Sequence, residues 1–424
     1  MNLKIEKKYR ILIIMVAAMI FSYLTWYNFS ALLNFIVEDI KLNPGEVGII
    51  LSAFQTGYVI AVIFSGWLAD KLGEKKVLVY SMLGTAIFST LFAWGAISFW
   101  SVLILRLFAG IFCGGIYAPG MSLLSNWFTS SERGKSLGAY IGGLTFSYGT
   151  TYFIAPLIAS EFSWQIAVMA TSLPAFLAAF LVHKYVEKSP KNKISEEYKE
   201  ELVEKDIKPF PEGGYKGPVL ITLSYIGHMW ELYGFWGWIG PFMVSAVAAA
   251  GYSQVQASVL GGRLASLIIM VGVPGVWLMG YLSDRLGRTK TIMISALCSL
   301  LAQFIFGIFH GKSLIITVVI GIWIGFWVIA DSACFSTGLT EMVNVDIKAT
   351  TLGIQNAFGF LITIISPAVF GRVLQHYNNV DNVISATNWL LPFSVLGLGA
   401  LIAPIAAWFL RKTDQASLMS DGKK

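Results

Sequence analysis

The chain has 424 residues, 56% hydrophobic and 13% charged, with a mean hydropathy of +0.68. Soluble chains average about a quarter charged residues, so a water-soluble fold could not hide this much apolar surface, and lipid is the solvent for most of it. The formal charge of +6 does not point to nucleic acid, because the basic residues sit in the breaks between apolar runs, where membrane topology accounts for them.

A membrane span needs about 20 mostly apolar residues. Such runs occur at 11–37, 47–69, 77–97, 102–124, 136–159 and 164–185, and again at 218–249, 257–282, 292–310, 314–339, 350–374 and 386–410. The first outlasts the apolar core of a cleavable signal peptide and reads as a span. The one long polar stretch, rich in Lys and Glu, lies between the sixth and seventh runs. The expected fold is therefore an all-α polytopic membrane protein of twelve transmembrane helices in two pseudo-symmetric six-helix bundles. Residues 1–186 form the N-terminal bundle, 187–217 a cytoplasmic linker, and 218–424 the C-terminal bundle with a short tail. Placing both termini in the cytoplasm puts about 25 of the 30 Lys and Arg residues on that side and leaves Lys41, Lys312 and Arg372 outside. Cys113, Cys298 and Cys334 all fall in apolar runs and make neither a disulfide framework nor a zinc pattern.

An internal repeat supports the division. GWLADKLGEKK from Gly66 and GYLSDRLGRTK from Gly280 each follow the second span of their half. Two parallel repeats of six helices are the architecture this implies. The repeated signature resembles the loop motif of the major facilitator superfamily, and with the helix count the likeness covers the whole chain. Arg106, opening Arg-Leu-Phe-Ala-Gly, is similar to that family's fourth-helix pattern, and WFTSSERGKSLG from Trp127 to its usual link between helices four and five. The strings GHMWELYGFWGW from Gly227 and ADSACFSTGLTE from Ala330 are similar to permeases for nitrate, nitrite or cyanate and, more loosely, organic anions. Nitrate itself is disfavoured because the second helix has no Arg. In the motif, Gly66 and Gly280 are expected to let helices approach closely, and Asp70 and Asp284 to pair with cations and hold the cytoplasmic face closed; Gly73, Arg285 and Gly287 belong to the same gate.

A charged side chain at mid-membrane costs about 2.5–3.5 kcal/mol, so each one needs a partner, water or a role. His228 and Glu231, three residues apart on one helical face, fall near the bilayer centre. A carboxyl group at that depth suits reversible protonation, which makes Glu231 with His228 the expected proton-coupling site; a structural pair is the rival. The resemblance places helices 1, 4, 7 and 10 around the cavity, so Asp331 is a second protonation candidate, or else a latch to a cation. Arg106 and Arg263 are expected near the outer third of their helices, where they could focus anions; Arg106 could instead pair with Asp39, and Arg263 could snorkel to the interface. Tyr27, Asn28, Trp230 and Asn356 are expected to line the substrate cavity.

No haem-ligand pair, Walker loop, HExxH or GxSxG appears, so an enzyme is not expected, nor any cofactor or metal. The resemblance implies a secondary active transporter of the plasma membrane, a monomer working by alternating access, with a small-molecule substrate and protons as partners. Proton-coupled symport of a small organic or inorganic anion fits the charges best. A proton-coupled exporter of hydrophobic or cationic compounds is the alternative, and a transporter-like nutrient sensor one of another class.

Overall fold

The computed structural model describes residues 6–128, 130–187, 214–344, 347–380 and 383–423; the expected linker falls largely on 188–213, outside them. Among the described residues there are helices and no strands. The first span is Lys7–Tyr23 followed, after a break, by Asn28–Ala31 and Leu33–Ile40. The second to fifth are Pro44–Leu72, Glu74–Gly95, Phe99–Ser125 and Ser130–Glu161, and the sixth is Trp164–Ser172 with Pro174–Tyr185. The seventh is Lys216–Ala249, the eighth Gln254–Met270 with Gly272–Leu286, and the ninth Arg288–Phe306. The tenth is Leu314–Trp327 with Ser332–Glu341, the eleventh Lys348–Asn378, and the twelfth Leu390–Ala400 with Ile402–Arg411. Ten helices among the described residues are long and apolar enough to cross a membrane. The remaining two of the twelve are the first, which is broken, and the fifth, which is thick with Ser, Thr, Gly and Tyr.

The chain divides into two compact units, 1–29 with 53–206 and 30–52 with 207–424. The second thus takes in a segment that a division at 186 and 218 assigns to the first half. Packing gives the reason. Ser30 Oγ donates to Gly237 O, and a Cβ on Gly48 would meet Pro367 O within 3.0 Å, so this segment lies against the seventh and eleventh spans.

Both units contain a glycine crossing where the backbones of corresponding spans touch. In the first, a Cβ on Gly57 would collide with Leu107 O, and Cβ atoms on Gly110 and Gly114 with Phe54 O and Tyr58 O, so the second and fourth spans meet through glycine. In the second, Gly325 sits against Ile268 O and Gly275 against Phe326 O, joining the eighth and tenth spans at the corresponding place. Lipid gives helices no hydrophobic reason to associate, and close backbone packing of small residues supplies the contact instead.

These crossings correct the role expected for Gly66 and Gly280. A Cβ on either meets nothing within 4 Å. The motif glycines with a conformational duty are Gly73 (φ 89°, ψ 139°) and Gly287 (φ 94°, ψ 149°), which turn the chain between helices in each half through a region that side chains avoid. Gly73→Ala and Gly287→Ala are therefore expected to cost about 1–3 kcal/mol each. Gly66→Ala and Gly280→Ala are expected to be neutral or to stabilise by up to about 1 kcal/mol, as for alanine in an exposed helix. Melting temperatures of the four purified variants in detergent check both halves of the statement; equal losses at Gly66 and Gly73 would refute it.

Beyond the twelfth span, two short 3-10 turns, Asp414–Leu418 and Ser420–Gly422, fold back onto the second unit. Gln415 accepts from Gly217 N and donates to Gly214 O at 2.7 Å, while Ala416 and Met419 join a core with Ile221, Ile292, Phe335 and Leu410.

Candidate functional site

In the first unit the site is built around the break in the first span. The helix stops at Tyr23, which leaves carbonyls at its end without helical partners. Leu24 O accepts from Thr151 Oγ1 at 2.9 Å, and Ile20 O accepts from Ser147 Oγ at 2.9 Å. Arg106, on the fourth span, meets the carbonyls of the break itself. Its Nη1 donates to Thr25 O at 2.9 Å and to Asn28 Oδ1 at 3.0 Å, and its Nη2 to Trp26 O at 2.6 Å. The guanidinium lies 4.3 Å from the centre of the Phe54 ring, a cation–π contact. It is 1% exposed, its Nε has no hydrogen-bond partner, and it makes no ion pair with a described carboxylate. The first unit therefore encloses a positive charge balanced by dipoles and a ring face. This cap takes the place of the ion pair that is one of the two readings of Arg106.

Asn28 and Tyr27 are drawn into the same core. Asn28 bridges Arg106 and Thr171, to which its Nδ2 donates at 3.2 Å. Tyr27, 2% exposed, packs edge-on to Tyr148 at 4.8 Å and parallel to Tyr152 at 5.8 Å. Both side chains are enclosed within the first unit where cavity lining was expected, because the break turns them toward the fourth, fifth and sixth spans.

In the second unit the seventh span is the most enclosed of the candidate spans, with 89% of its apolar window buried. His228 and Glu231 lie on it, 4% and 3% exposed, and reach different neighbours. His228 Nδ1 is 2.9 Å from Asp331 Oδ1, a contact of ion-pair length, and its Nε2 is 3.0 Å from Ser332 Oγ. Asp331 stands where the tenth span breaks, between Trp327 and Ser332, so the imidazole grips both residues at the break. Glu231 Oε1 accepts from Ser299 Oγ and from Gln303 Nε2, the latter at 3.2 Å, both on the ninth span. His228 and Glu231 are thus not each other's partner. Ser299 and Gln303 escaped the sequence reading; the signal available was their four-residue spacing on one face.

Charge counting shows what the cluster can do. Glu231 has hydroxyl and amide donors around it and no described cation, so its charge, when ionised, goes uncompensated in an apolar interior. Protonation of Glu231 would remove that charge.

The other expected residues are scattered. Arg263 is exposed and shares a helical face with Leu267, Trp277 and Tyr281. Asn356 is exposed and accepts from Tyr225 at 3.5 Å; Trp230 is half-buried, its indole N–H unmet and its carbonyl accepting from Ser366 at 2.6 Å. At the motif ends, Asp284 pairs with Arg288 at 2.6 Å, and Arg288 pairs in turn with Glu341 at 2.8 Å. Arg285 lies over the Tyr281 ring at 4.7 Å. Asp70 is exposed and forms no ion pair with a described residue. Its half instead uses Glu74, the counterpart of Arg288, to accept from Ser122 at 3.2 Å and Asn126 at 3.3 Å. The same staple between a loop and the end of a neighbouring span thus recurs with different charges. Nearby, Lys7 meets Glu187, and that hydrogen bond holds the Glu187 carboxyl below its usual range.

The family model for the Major Facilitator Superfamily matches residues 15–367. The chain is similar to a niacin transporter of Acinetobacter baylyi, 24% identical over 383 residues that cover 82% of this chain and 83% of the relative. It is also similar to a protein of Cupriavidus necator named "Probable sulfoacetate transporter", 24% identical with 95% and 94% covered. Among solved structures it matches a bacterial homolog of the human lysosomal transporter Spinster, in an inward-facing and occupied conformation, with a TM-score of 0.78, 14% identity, and 97% and 98% of the two chains covered.

Proposed function

The chain belongs to the Major Facilitator Superfamily and is a multi-pass membrane transporter, and from that premise we propose that it carries a small organic anion together with protons by alternating access. The observation that carries the reading is Glu231, buried at mid-membrane among neutral donors. Arg106 supports the anion. A guanidinium enclosed without a carboxylate raises the local potential for negative solutes and repels cations. The two named relatives point the same way, since niacin is a carboxylate and sulfoacetate a sulfonate with a carboxylate at neutral pH.

On this reading a proton enters with the anion, neutralises Glu231, and lets the loaded carrier change state without an uncompensated charge in its core. His228 and Asp331 hold the break in the tenth span while this occurs. The working unit is one chain of two six-helix halves, with both termini and the basic loops on the inner face of the plasma membrane. Asp284, Arg288 and Glu341 brace that face.

The test uses purified protein in liposomes with a trapped pH dye, challenged with small carboxylates and sulfonates, nicotinate and sulfoacetate among them. Acid is expected to enter with the transported anion. Glu231→Gln, which mimics the protonated acid, is expected to lower proton-driven accumulation at least ten-fold while exchange of internal for external anion persists. Unchanged accumulation in that variant would remove Glu231 from the mechanism, and proton release against a lipophilic cation would move the assignment to export.

A further inference from the structure

The ninth span carries Thr291, Ser295, Ser299 and Gln303 at intervals of four residues, and all four are fully buried. That interval keeps them on one face, about 6 Å apart along the axis. At one end Ser299 and Gln303 donate to Glu231. At the other Thr291 donates to Gly287 O at 3.0 Å, in the turn that carries Arg288. Between them Ser295 Oγ has no partner among the described residues, and Gln303 Oε1 is likewise unmet there. An unmet buried hydroxyl costs about 1–3 kcal/mol, and proteins ordinarily satisfy such a group with an internal water.

Packing alone accounts for part of this, since small polar residues are favoured where membrane helices touch. The third span repeats the stripe as Ser81, Thr85 and Ser89, also buried, yet among the described residues no acid hydrogen-bonds to it; Thr85 donates back to Ser81 O. The second half differs in having a carboxyl group attached to the stripe.

We propose that the stripe on the ninth span is the proton route to Glu231, with Ser295 holding internal water that joins Ser299 to the membrane face bearing Arg288. In one step Ser299 Oγ accepts the proton leaving Glu231 as its own hydroxyl proton passes to the water at Ser295. No bond beyond O–H is made or broken, and the proton leaves by the face bearing Arg288. The 6 Å spacing is too long for hydroxyls to exchange protons directly, so one water between successive side chains is required. The charged groups near this route are Asp331 on the tenth span, itself in contact with His228, and at its end Arg288 with Asp284 and Glu341, and Arg411, which donates to Thr289 at 3.3 Å.

This inference rests on proton coupling, and the experiment separates the two. Liposomes with a trapped pH dye are loaded with the parent, Ser295→Ala or Ser89→Ala protein, and challenged with the same carboxylates and sulfonates. Net proton-driven uptake by Ser295→Ala is expected to fall at least five-fold while anion exchange keeps the parent rate, because exchange need not discharge Glu231. Ser89→Ala, which removes an equally buried and unmet hydroxyl from the third span, is expected to change neither. Parental uptake by Ser295→Ala, or parallel loss of uptake and exchange, overturns the route alone. A parent protein that moves no protons with any of these anions overturns the coupling and the route together.

Discussion

Arg106→Met is expected to lower the stability of the first unit by about 2–4 kcal/mol and to abolish transport. Two effects compete. Removing the guanidinium relieves the cost of burying a charge, which taken alone can stabilise a protein. It also strips the Thr25 and Trp26 carbonyls and the Asn28 amide of their donors, at about 1–3 kcal/mol for each acceptor left unmet. Thr151 is already committed to Leu24 O, so no described side chain stands ready to replace the lost donors at the break. The carbonyl losses therefore win. Arg106→Lys separates cap from charge: an ammonium keeps the potential but lacks the flat fork that reaches several acceptors at once. Melting curves in detergent are expected to place Lys between Arg and Met, and transport by the Lys variant is expected to retain a preference for anions. A Met variant as stable as the parent would show that the break does not depend on this residue.

Gly110→Ala and Gly325→Ala are expected to be nearly as damaging, and by similar amounts. In each half the added methyl lands on a backbone carbonyl of the neighbouring span, Phe54 O or Ile268 O, far inside the 3.0 Å that real Cβ atoms keep. A carbonyl in a helix cannot swing aside as a side chain would, so the crossing must open along its length. Overpacking of this kind costs about 1–3 kcal/mol, and the lost close contact between helices adds to it. The yield of monodisperse protein after detergent extraction is the readout, with Gly66→Ala as the control that meets open space. Parental yield from either crossing variant would show that the spans separate more easily than their backbones suggest.

Much of the fold was legible because lipid imposes a coarse rule on composition. Length and apolarity placed the twelve spans, and the repeated GxLxD loop revealed two related halves. Hydropathy could not see the breaks at 24–27 and 328–331, since mostly apolar residues run into and out of both and a single polar residue in each does not distinguish a break from a helix. The same blindness misplaced the glycines. A glycine that admits a neighbour and one that turns the chain look alike in a motif, and Gly66 does neither while Gly73 does the second. Glu231 and His228 stood out as buried ionisable groups, yet their partners come from the ninth and tenth spans, more than 60 residues away, where one sequence carries no pairing information.

The tail that folds back after the twelfth span has a consequence for how the protein is made. Met419 and Ala416 fill the same cluster as Ile221, whose span begins some 200 residues earlier in synthesis. Until those residues dock, the second half leaves an open patch of apolar surface at one end. A chaperone or protease that reads exposed apolar surface would meet this patch only before the tail has docked.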